Sequence, residues 1–320
     1  MLDWKTLPHP IVALSPMADM TDSAFCRVVK QFANPIVFRE MVSAEAIVRG
    51  NDKTLGMIDI HSDERPLVQQ IFGSDPDIMA EAARIIAAKH HPEGFDINMG
   101  CPVYKITSNF NGAALMREPE RAVKIIAAVK LAITVPMSIK IRTGWSDPHE
   151  CWEFAKIIEA AGADLITVHG RTKMQGYSGA SDWNIIRGVK ERVSIPVLAN
   201  GDIHRAEQVP EALQVSGCDG VLIARGALGN PWIFSHINDV IARKTPRPLS
   251  YEERCAVVLN HARLHVEQYG PHGMVTFRKH LVWYFKGFPG AKLIRERMSS
   301  IDSLEALEVL LEQTKERAPN

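Results

Sequence analysis

The sequence has few cysteines, and their arrangement does not indicate a disulfide framework or a metal site. Its 320 residues include only five, spread over the whole length with no Cys-x-x-Cys pair: Cys26, Cys101, Cys151, Cys218 and Cys255. An odd number of scattered cysteines is typical of a protein from a reducing compartment and not of a small secreted domain. We therefore expect a cytoplasmic protein with no structural zinc.

Long apolar runs are also absent. No stretch approaches the ~20 apolar residues that a membrane span requires. The first ten residues, MLDWKTLPHP, contain no apolar core of a secretory signal. With 46% hydrophobic residues the chain is too apolar to be disordered. The sequence thus predicts a globular protein without a membrane partner, with a core large enough for one large domain and a smaller appendage.

The chain has no excess of charge of either sign, because 37 basic residues balance 37 acidic ones. The balance hides an uneven distribution. Residues 240–320 contain 13 Lys and Arg against 9 Asp and Glu, so this region carries +4 and the remainder carries −4. A basic C-terminal region on an acidic body is a modest indication of an anionic partner.

Short apolar runs recur through the first three quarters of the chain. They are typical of parallel strands covered on both faces: Ile11–Met17, Ile36–Met41, Leu67–Phe72, Phe95–Met99, Met137–Ile141, Leu165–His169, Pro196–Asn200 and Gly220–Ala224. Helical patterns lie between them, as in Pro76–His90, Pro119–Leu131 and Glu150–Ala161. Asp75 and Pro76 are placed to begin the first of these helices, and Gly162 to end the third.

Eight strands alternating with helices predict a (β/α)8 TIM barrel. A doubly wound open sheet is the alternative, which the lack of a G-x-G-x-x-G motif after the first strand disfavours. After a proline-containing linker at Thr245–Leu249, only helical patterns follow: Tyr251–Tyr269, Met274–Lys286, Ala291–Met298 and Ser303–Arg317. We therefore predict a barrel domain over residues 1–244 and a small all-α domain over 245–320.

Polar residues gather where the predicted strands end. The runs finish on Pro16-Met17, Glu40, Gln70, Asn98, Lys140 to Arg142, His169, Asn200-Gly201 and Ala224-Arg225. Single polar residues at strand ends are expected simply because strands reach solvent there. Eight such ends, with a lysine and a histidine among them, instead indicate the functional face of a barrel.

Two features of these ends suggest a phosphate-bearing ligand. Lys140 ends an apolar strand, where its charge is costly to bury unless an anion or a carbonyl dipole meets it. Glycine-containing turns follow the seventh and eighth strands, Asn200–Ile203 and Ala224–Gly229, which is where barrels of this type hold phosphate. Arg225 would add a charge-assisted contact. Flavin mononucleotide (FMN) is the leading candidate.

Cys101 differs from the other cysteines because it lies just past the fourth strand, between Gly100 and Pro102. The other four are interpreted as core residues. A thiol with an ordinary pKa near ~8.5 is mostly protonated at neutral pH, so Cys101 could act as a general acid or as a nucleophile. The sequence alone leaves both roles open.

Several of these segments together resemble the tRNA-dihydrouridine synthases, and most closely their bacterial B-type branch. The resemblance covers the barrel and continues into HLVWYF at 280–285; it is carried by SPMADMTD at 15–22, NMGCP at 98–102, GAAL at 112–115, IKIR at 139–142, VHGRT at 168–172, LANGDI at 198–203 and ARG at 224–226. One departure is Ser15, where the family more often has alanine.

The resemblance implies an FMN enzyme that reduces the C5–C6 double bond of a uridine in tRNA, with NADPH or NADH as reductant. By position, Cys101 is the proton donor and Asn98 lies near the base. Arg171, close behind His169, is assigned to the substrate. The residues implied to hold FMN are Pro16, Met17, Ala18, Gln70, Lys140, His169, Asn200, Gly201, Asp202, Ala224 and Arg225.

The basic C-terminal region fits an RNA partner. Aromatic residues between its charges are interpreted as the core face of helices, and the charges as phosphate contacts: Arg278, Lys279, Lys286, Lys292, Arg295 and Arg297. An FMN barrel enzyme for a free small molecule, such as a dihydroorotate-type dehydrogenase, has no need of this surface. A non-catalytic RNA-binding protein is disfavoured by the intact set of site residues. We expect a monomer with no obligate protein partner.

Overall fold

A computed structural model describes residues 2–288 and 291–315. It confirms the predicted fold class: eight parallel strands form a closed barrel in sequence order, and β1 closes on β8 with Ile11 opposite Gly220. The strands are β1 (Ile11–Leu14), β2 (Ile36–Ser43), β3 (Leu67–Phe72), β4 (Gly94–Met99), β5 (Met137–Arg142), β6 (Leu165–His169), β7 (Val197–Asn200) and β8 (Gly220–Ile223).

Helices surround the barrel and follow it. Those within the barrel region are α1 (Ser23–Lys30), α2 (Ala44–Val48), α3 (Asp52–Gly56), α4 (Pro76–His90), α5 (Tyr104–Thr107), α6 (Pro119–Ala132), α7 (Glu150–Ala160), α8 (Trp183–Lys190), α9 (Val209–Ser216) and α10 (Ile233–Ile241). The later ones are α11 (Tyr251–Tyr269), α12 (Gly273–Tyr284), α13 (Ala291–Arg297) and α14 (Leu304–Lys315). As predicted, Asp75 begins α4 by accepting the backbone N–H groups of Asp77 and Ile78, each at 3.0 Å.

Clusters of buried apolar residues support this arrangement. A small cluster inside the barrel includes Phe38 and Leu222, with Trp4 stacked on Phe38. A larger cluster lies between the strands and the outer helices, and a separate one holds the C-terminal helices together. Burial of this kind contributes roughly 25 cal/mol per Å² of apolar surface, so the closed barrel is a rigid frame for the residues at its end.

The first strand is shorter than expected. We predicted Ile11–Met17, but the strand ends at Leu14. Pro16 has no N–H for a strand ladder, and the N–H of Met17 instead donates to the hydroxyl of Thr21 at 2.8 Å. The segment after β1 therefore forms a tight loop over the end of the barrel, where it can contact a ligand.

The C-terminal helices dock on the barrel through α1. The N–H of Ala24 donates to the side chain of Gln268 at 3.0 Å, and Arg27 pairs with Glu267 at 3.0 Å. None of the described helices is both long enough and apolar enough to cross a bilayer. The division at residue 245 remains a prediction, because the apolar cluster of the C-terminal helices also includes Trp232 and Phe32 of the barrel region.

Candidate active site

A cavity of about 690 Å³ lies at the carboxyl ends of the strands. It is lined by every predicted catalytic and cofactor residue and by Asn98: Pro16, Met17, Ala18, Gln70, Asn98, Cys101, Lys140, His169, Asn200, Gly201, Asp202, Ala224 and Arg225. Its size falls within the range of ~300–1,000 Å³ that is usual for cofactor and ligand sites. These residues come from seven of the eight strand ends, and Met41 of β2 lines the cavity from the eighth.

Asn98 fixes the backbone of the loop that carries Cys101. Its side-chain oxygen accepts the N–H groups of Gly100 at 3.1 Å and Cys101 at 2.9 Å, while its amide nitrogen donates to Gln70 at 3.0 Å. Both ends of the amide are therefore engaged by the protein. These contacts fix the backbone that carries Cys101, while Asn98 also lines the cavity, and its place near the substrate base stays a prediction.

The same network continues inward to a carboxyl group that we did not select from the sequence. Gln70 donates to Asp96 at 2.6 Å, and the hydroxyl of Ser138 donates to the other oxygen of Asp96 at 2.6 Å. Burial raises the pKa of Asp96 to about 7. Asp96 lies two residues before Asn98, on the same face of β4, and that spacing is the signal that could have identified it.

Replacing Asn98 with alanine should lower kcat about 100-fold without loss of cofactor, because the loop of Cys101 is then deprived of both side-chain hydrogen bonds. If Asn98 acts only through Cys101, the double variant Asn98→Ala/Cys101→Ala should be no slower than Cys101→Ala alone. Steady-state rates of the three variants test this. A further large decrease in the double variant would assign Asn98 a contact of its own with the substrate.

Lys140 brings a positive charge to the wall of the cavity. Burial lowers its pKa to about 8, the neighbouring Arg142 adds to the lowering, and Asp96 opposes it. Since this value is above neutral pH, the ammonium group is mostly protonated there. It can meet a carbonyl or an anionic ring edge of a ligand in the cavity.

His169 offers a hydrogen-bond acceptor to the cavity. Asn200 donates its amide to the carbonyl of Leu222 at 2.6 Å, which orients its side-chain oxygen toward Nδ1 of His169 at 3.0 Å. Nδ1 must therefore carry the proton. Burial, and then the charge of Lys140, hold the pKa of His169 well below its usual value, so the ring is neutral. Nε2 is buried and has no hydrogen-bond partner among the described residues.

The end of the cavity near β7 and β8 has the geometry of an anion-binding site, which we call the anion seat and which is formed by Gly201, Asp202 and Arg225. Gly201 has φ +119°, and a Cβ there would lie 2.3 Å from the hydroxyl of Ser181. Asp202 follows with φ 57° and lies 3.4 Å from the guanidinium of Arg225, which is 38% exposed and lies over the ring of Tyr177. Arg225 is therefore held in place while its charge still faces the cavity.

Arg171 is not on the surface, contrary to our expectation of an RNA contact. Its side chain is 3% exposed and bonds to Asp202 at 2.6 Å and to the carbonyls of Ser178 and Gly179 at 3.2 and 2.6 Å. Arg171 is therefore buried in the loops at the end of the barrel, although one of its guanidinium nitrogens has no hydrogen-bond partner among the described residues. It holds Asp202, and through it Arg225, at the anion seat.

The remaining cysteines differ from Cys101 in their surroundings. Cys26 and Cys151 are buried, while Cys218 and Cys255 are half-buried. Burial raises the pKa of Cys151 and of Cys218 to about 12, so these thiols are inert at neutral pH. Cys101 lines the cavity, and Gly112, whose φ is +58°, allows the chain to pack behind it.

The basic residues of the C-terminal helices differ in their exposure to solvent. Arg278 and Lys279 are half-buried, and Arg278 donates to the carbonyl of Ile301 at 2.9 Å. The other four are exposed: Lys286, Lys292, Arg295 and Arg297. As interpreted from the sequence, the aromatic residues Phe277, Tyr284 and Phe285 are buried core.

A second cavity of about 340 Å³ joins this helical surface to the anion seat. Its lining includes Arg225 and Lys286 together with Arg254, which we did not select from the sequence. Arg254 lies over Trp232 at 4.7 Å and donates to the carbonyl of Tyr284 at 3.0 Å. Three basic residues, Arg225, Arg254 and Lys286, therefore line one cavity between the anion seat and the C-terminal helices.

The closed parallel barrel defines a TIM-barrel protein. Its polar cavity lies at the carboxyl ends of the strands, where TIM-barrel enzymes have their active sites. The chain belongs to the dihydrouridine synthase family, since the model described as "Dihydrouridine synthase (Dus)" matches residues 12–319.

Two relatives support this assignment, and one solved structure shares the fold. The chain is 39% identical over 312 residues to a probable tRNA-dihydrouridine synthase 1 of Synechocystis sp., covering 95% of this chain and 86% of the relative. It is 36% identical over 293 residues to tRNA-dihydrouridine synthase B of Pasteurella multocida, covering 91% and 88%. A solved 2-naphthoyl-CoA reductase shares the fold with a TM-score of 0.59 and 10% identity, covering 95% of this chain and 67% of that one.

Proposed function

We propose that this protein is a flavin-dependent tRNA-dihydrouridine synthase that reduces the C5–C6 double bond of a uridine in tRNA, with FMN as bound cofactor and NADPH or NADH as electron donor. The observation that carries the proposal is one cavity with Cys101 on its wall, an anion seat at Gly201 and Arg225, and a basic surface beyond. Family membership supports the same activity.

The residues of the cavity fit FMN. Gly201 leaves the space that a Cβ would fill, and Arg225 supplies a charge for a phosphate. The unpartnered Nε2 of His169 and the ammonium of Lys140 would meet polar atoms of the ring system, with Gln70 beside them. Pro16, Met17 and Ala18 would line the ring, and Asn200, Asp202 and Ala224 the ribityl chain. Bound FMN would supply hydride to the substrate.

Cys101 then acts as the general acid. When hydride adds to C6 of uracil, negative charge develops at C5 and O4, and a proton must reach C5. The thiol of Cys101, held at the cavity wall, can donate that proton. Asn98 keeps the thiol's backbone in place through its two hydrogen bonds, so the donor is positioned before the substrate arrives.

The target base must leave its stack to reach this cavity, at a cost of a few kcal/mol. Contacts with the RNA backbone must offset that cost. The exposed charges of the C-terminal helices, together with Arg254 and Arg225 at the second cavity, are suited to hold phosphates of the RNA backbone.

Replacing three exposed charges, as Lys292→Gln/Arg295→Gln/Arg297→Gln, should weaken tRNA binding and reduce the slope of log K against log salt by about 1 for each phosphate that is no longer neutralised. Binding titrations at several salt concentrations measure both. The matched control, Arg84→Gln/Lys124→Gln/Lys156→Gln, removes three exposed charges from the outer barrel helices and should bind normally. Equal weakening in both variants would refute this surface.

The pKa of Lys140 predicts that FMN binding depends on pH. Lysine is charged below its pKa, so raising the pH through about 8 removes the charge and weakens FMN binding, by up to about tenfold between pH 7 and 9. Fluorescence titration of the apoprotein with FMN measures this without involving Cys101. Lys140→Gln should bind weakly at every pH in this range. The same pH dependence in Lys140→Gln would contradict the assignment.

The direct test of the function is the product. Unmodified tRNA incubated with the protein, FMN and NADPH should gain 2 Da at a single uridine, which mass spectrometry of nuclease digests detects. Free uridine or another pyrimidine reduced in place of tRNA would instead support the small-molecule alternative.

A further inference from the structure

Three histidines and an aspartate meet between the barrel and the C-terminal helices, outside the cavity described above. His261 and His265 lie one turn apart on α11, His280 lies on α12, and Asp22 precedes α1. All four are at most 2% exposed. One ring nitrogen of each histidine lies within 4.8 Å of those of the other two. From the sequence we expected no metal site, because only the spacing of the cysteines was considered.

His265 lies between a hydroxyl group and a carboxylate. Its Nε2 lies 2.9 Å from the hydroxyl oxygen of Thr276, and its Nδ1 lies 3.3 Å from Oδ2 of Asp22. The carboxylate of Asp22 also accepts the N–H of Phe25 at 2.9 Å and the hydroxyl of Tyr269 at 3.2 Å. Nδ1 of His265 can therefore either donate a proton to Asp22 or share a metal ion with it.

A proton on His265 would account for only one of the three rings. Nε2 of His261 and Nε2 of His280 are also buried, and neither has a hydrogen-bond partner within residues 2–288 and 291–315. The other nitrogen of His261 lies 3.0 Å from the hydroxyl of Tyr284. Unpartnered imidazole nitrogens beside a buried carboxylate, with the opposite nitrogens of His261 and His265 held by hydroxyl groups, form the usual arrangement of metal ligands with supporting hydrogen bonds.

We propose that His261, His265, His280 and Asp22 bind one divalent transition-metal ion of the zinc class. Three imidazoles and a carboxylate are ligands that zinc accepts in a four-coordinate tetrahedral site. Zn–N distances of ~2.0–2.1 Å place tetrahedral ligands ~3.4 Å apart. The histidine side chains therefore need to draw together by at most about 1.5 Å, which small rotations of χ1 and χ2 provide.

Such an ion would be structural. None of its four ligands lines the 690 Å³ cavity, and all four ligand positions come from the protein. It would join α11 and α12 to the residue that begins α1, directly after the loop containing Pro16, Met17 and Ala18. The metal would thereby fix how the basic helical surface sits against the barrel mouth.

Metal analysis of the purified wild-type protein tests the site. We expect about one zinc per chain, with X-ray absorption showing three nitrogens and one oxygen at ~2.0–2.1 Å. His280→Gln should contain at least tenfold less zinc while its FMN content is unchanged. The control His272→Gln, in the exposed residue just before α12, should retain zinc. Chelator should lower the melting temperature of wild type but not of His280→Gln.

Two results would overturn the proposal. One is less than about 0.1 zinc per chain in wild type, even after dialysis against micromolar ZnCl₂; this would leave a proton between His265 and Asp22. The other is equal zinc in wild type and His280→Gln. Neither result depends on flavin or tRNA activity, so the site can fail while the proposed enzyme function stands.

Discussion

Cys101→Ala is expected to lower turnover on tRNA by about 10²–10⁴-fold, the usual contribution of a general acid, while still binding FMN and tRNA. The side chain lines the cavity but makes none of the contacts that form the anion seat. Bleaching of the flavin by NADPH should therefore proceed at the wild-type rate. The defect should appear only when tRNA is added, which stopped-flow absorbance separates from the first half-reaction.

Cys255→Ala is the matched control, since it removes a half-buried thiol from the C-terminal helices and leaves the cavity intact. It should turn over normally. Turnover of Cys101→Ala at the wild-type rate would eliminate the proton-donor role. Failure of its flavin to bleach with NADPH would show instead that the cysteine supports the cofactor.

Gly201→Ala is expected to yield protein without FMN and therefore without activity. A Cβ at this position would lie 2.3 Å from Oγ and 2.9 Å from Cβ of Ser181, and 3.2 Å from the ring of His169. The backbone φ of +119° is also one that residues with a side chain rarely adopt. The backbone that forms the anion seat must therefore shift to relieve the clash. Flavin content measured from the absorbance spectrum reports the change.

Two variants distinguish the effect of the steric clash with Ser181 from the effect of backbone strain at Gly201. Gly50→Ala shares a positive φ of +67° but meets no described atom within 4 Å, so it should retain FMN. Ser181→Gly removes the nearest atoms, and in combination with Gly201→Ala it should restore part of the FMN content. Full FMN content in Gly201→Ala alone would show that the anion lies elsewhere.

Strand positions could be predicted from the sequence because parallel strands covered on both faces form continuous apolar runs. For the same reason the polar residues that end those runs were recognisable as one face of the barrel. Gln70, Lys140 and His169 come from three different strands, yet closure of the barrel brings all three to one cavity. The order of the elements was sufficient for that inference.

The contacts that side chains make inside the site could not be predicted from the sequence. Arg171 follows a strand end just as Arg225 does, but three hydrogen-bond partners bury the first and leave the second facing the cavity. Asn98 also has its amide engaged by the protein at both ends. Whether a side chain is engaged by the protein or faces the cavity depends on hydrogen-bond partners that are distant in sequence. The spacing of residues along the chain does not reveal those partners. The histidine cluster is of the same kind, since its ligands come from three separate helices or their caps.

The most direct test of the central claim is anaerobic reoxidation of the NADPH-reduced protein by unmodified tRNA, followed by the flavin absorbance. We expect purified protein to be yellow, to bleach with NADPH, and to regain colour with tRNA but not with free uridine or a quinone. Colour restored only by a small pyrimidine or quinone would contradict tRNA as the substrate. Protein that binds tRNA but cannot be reconstituted with FMN would contradict the enzyme itself.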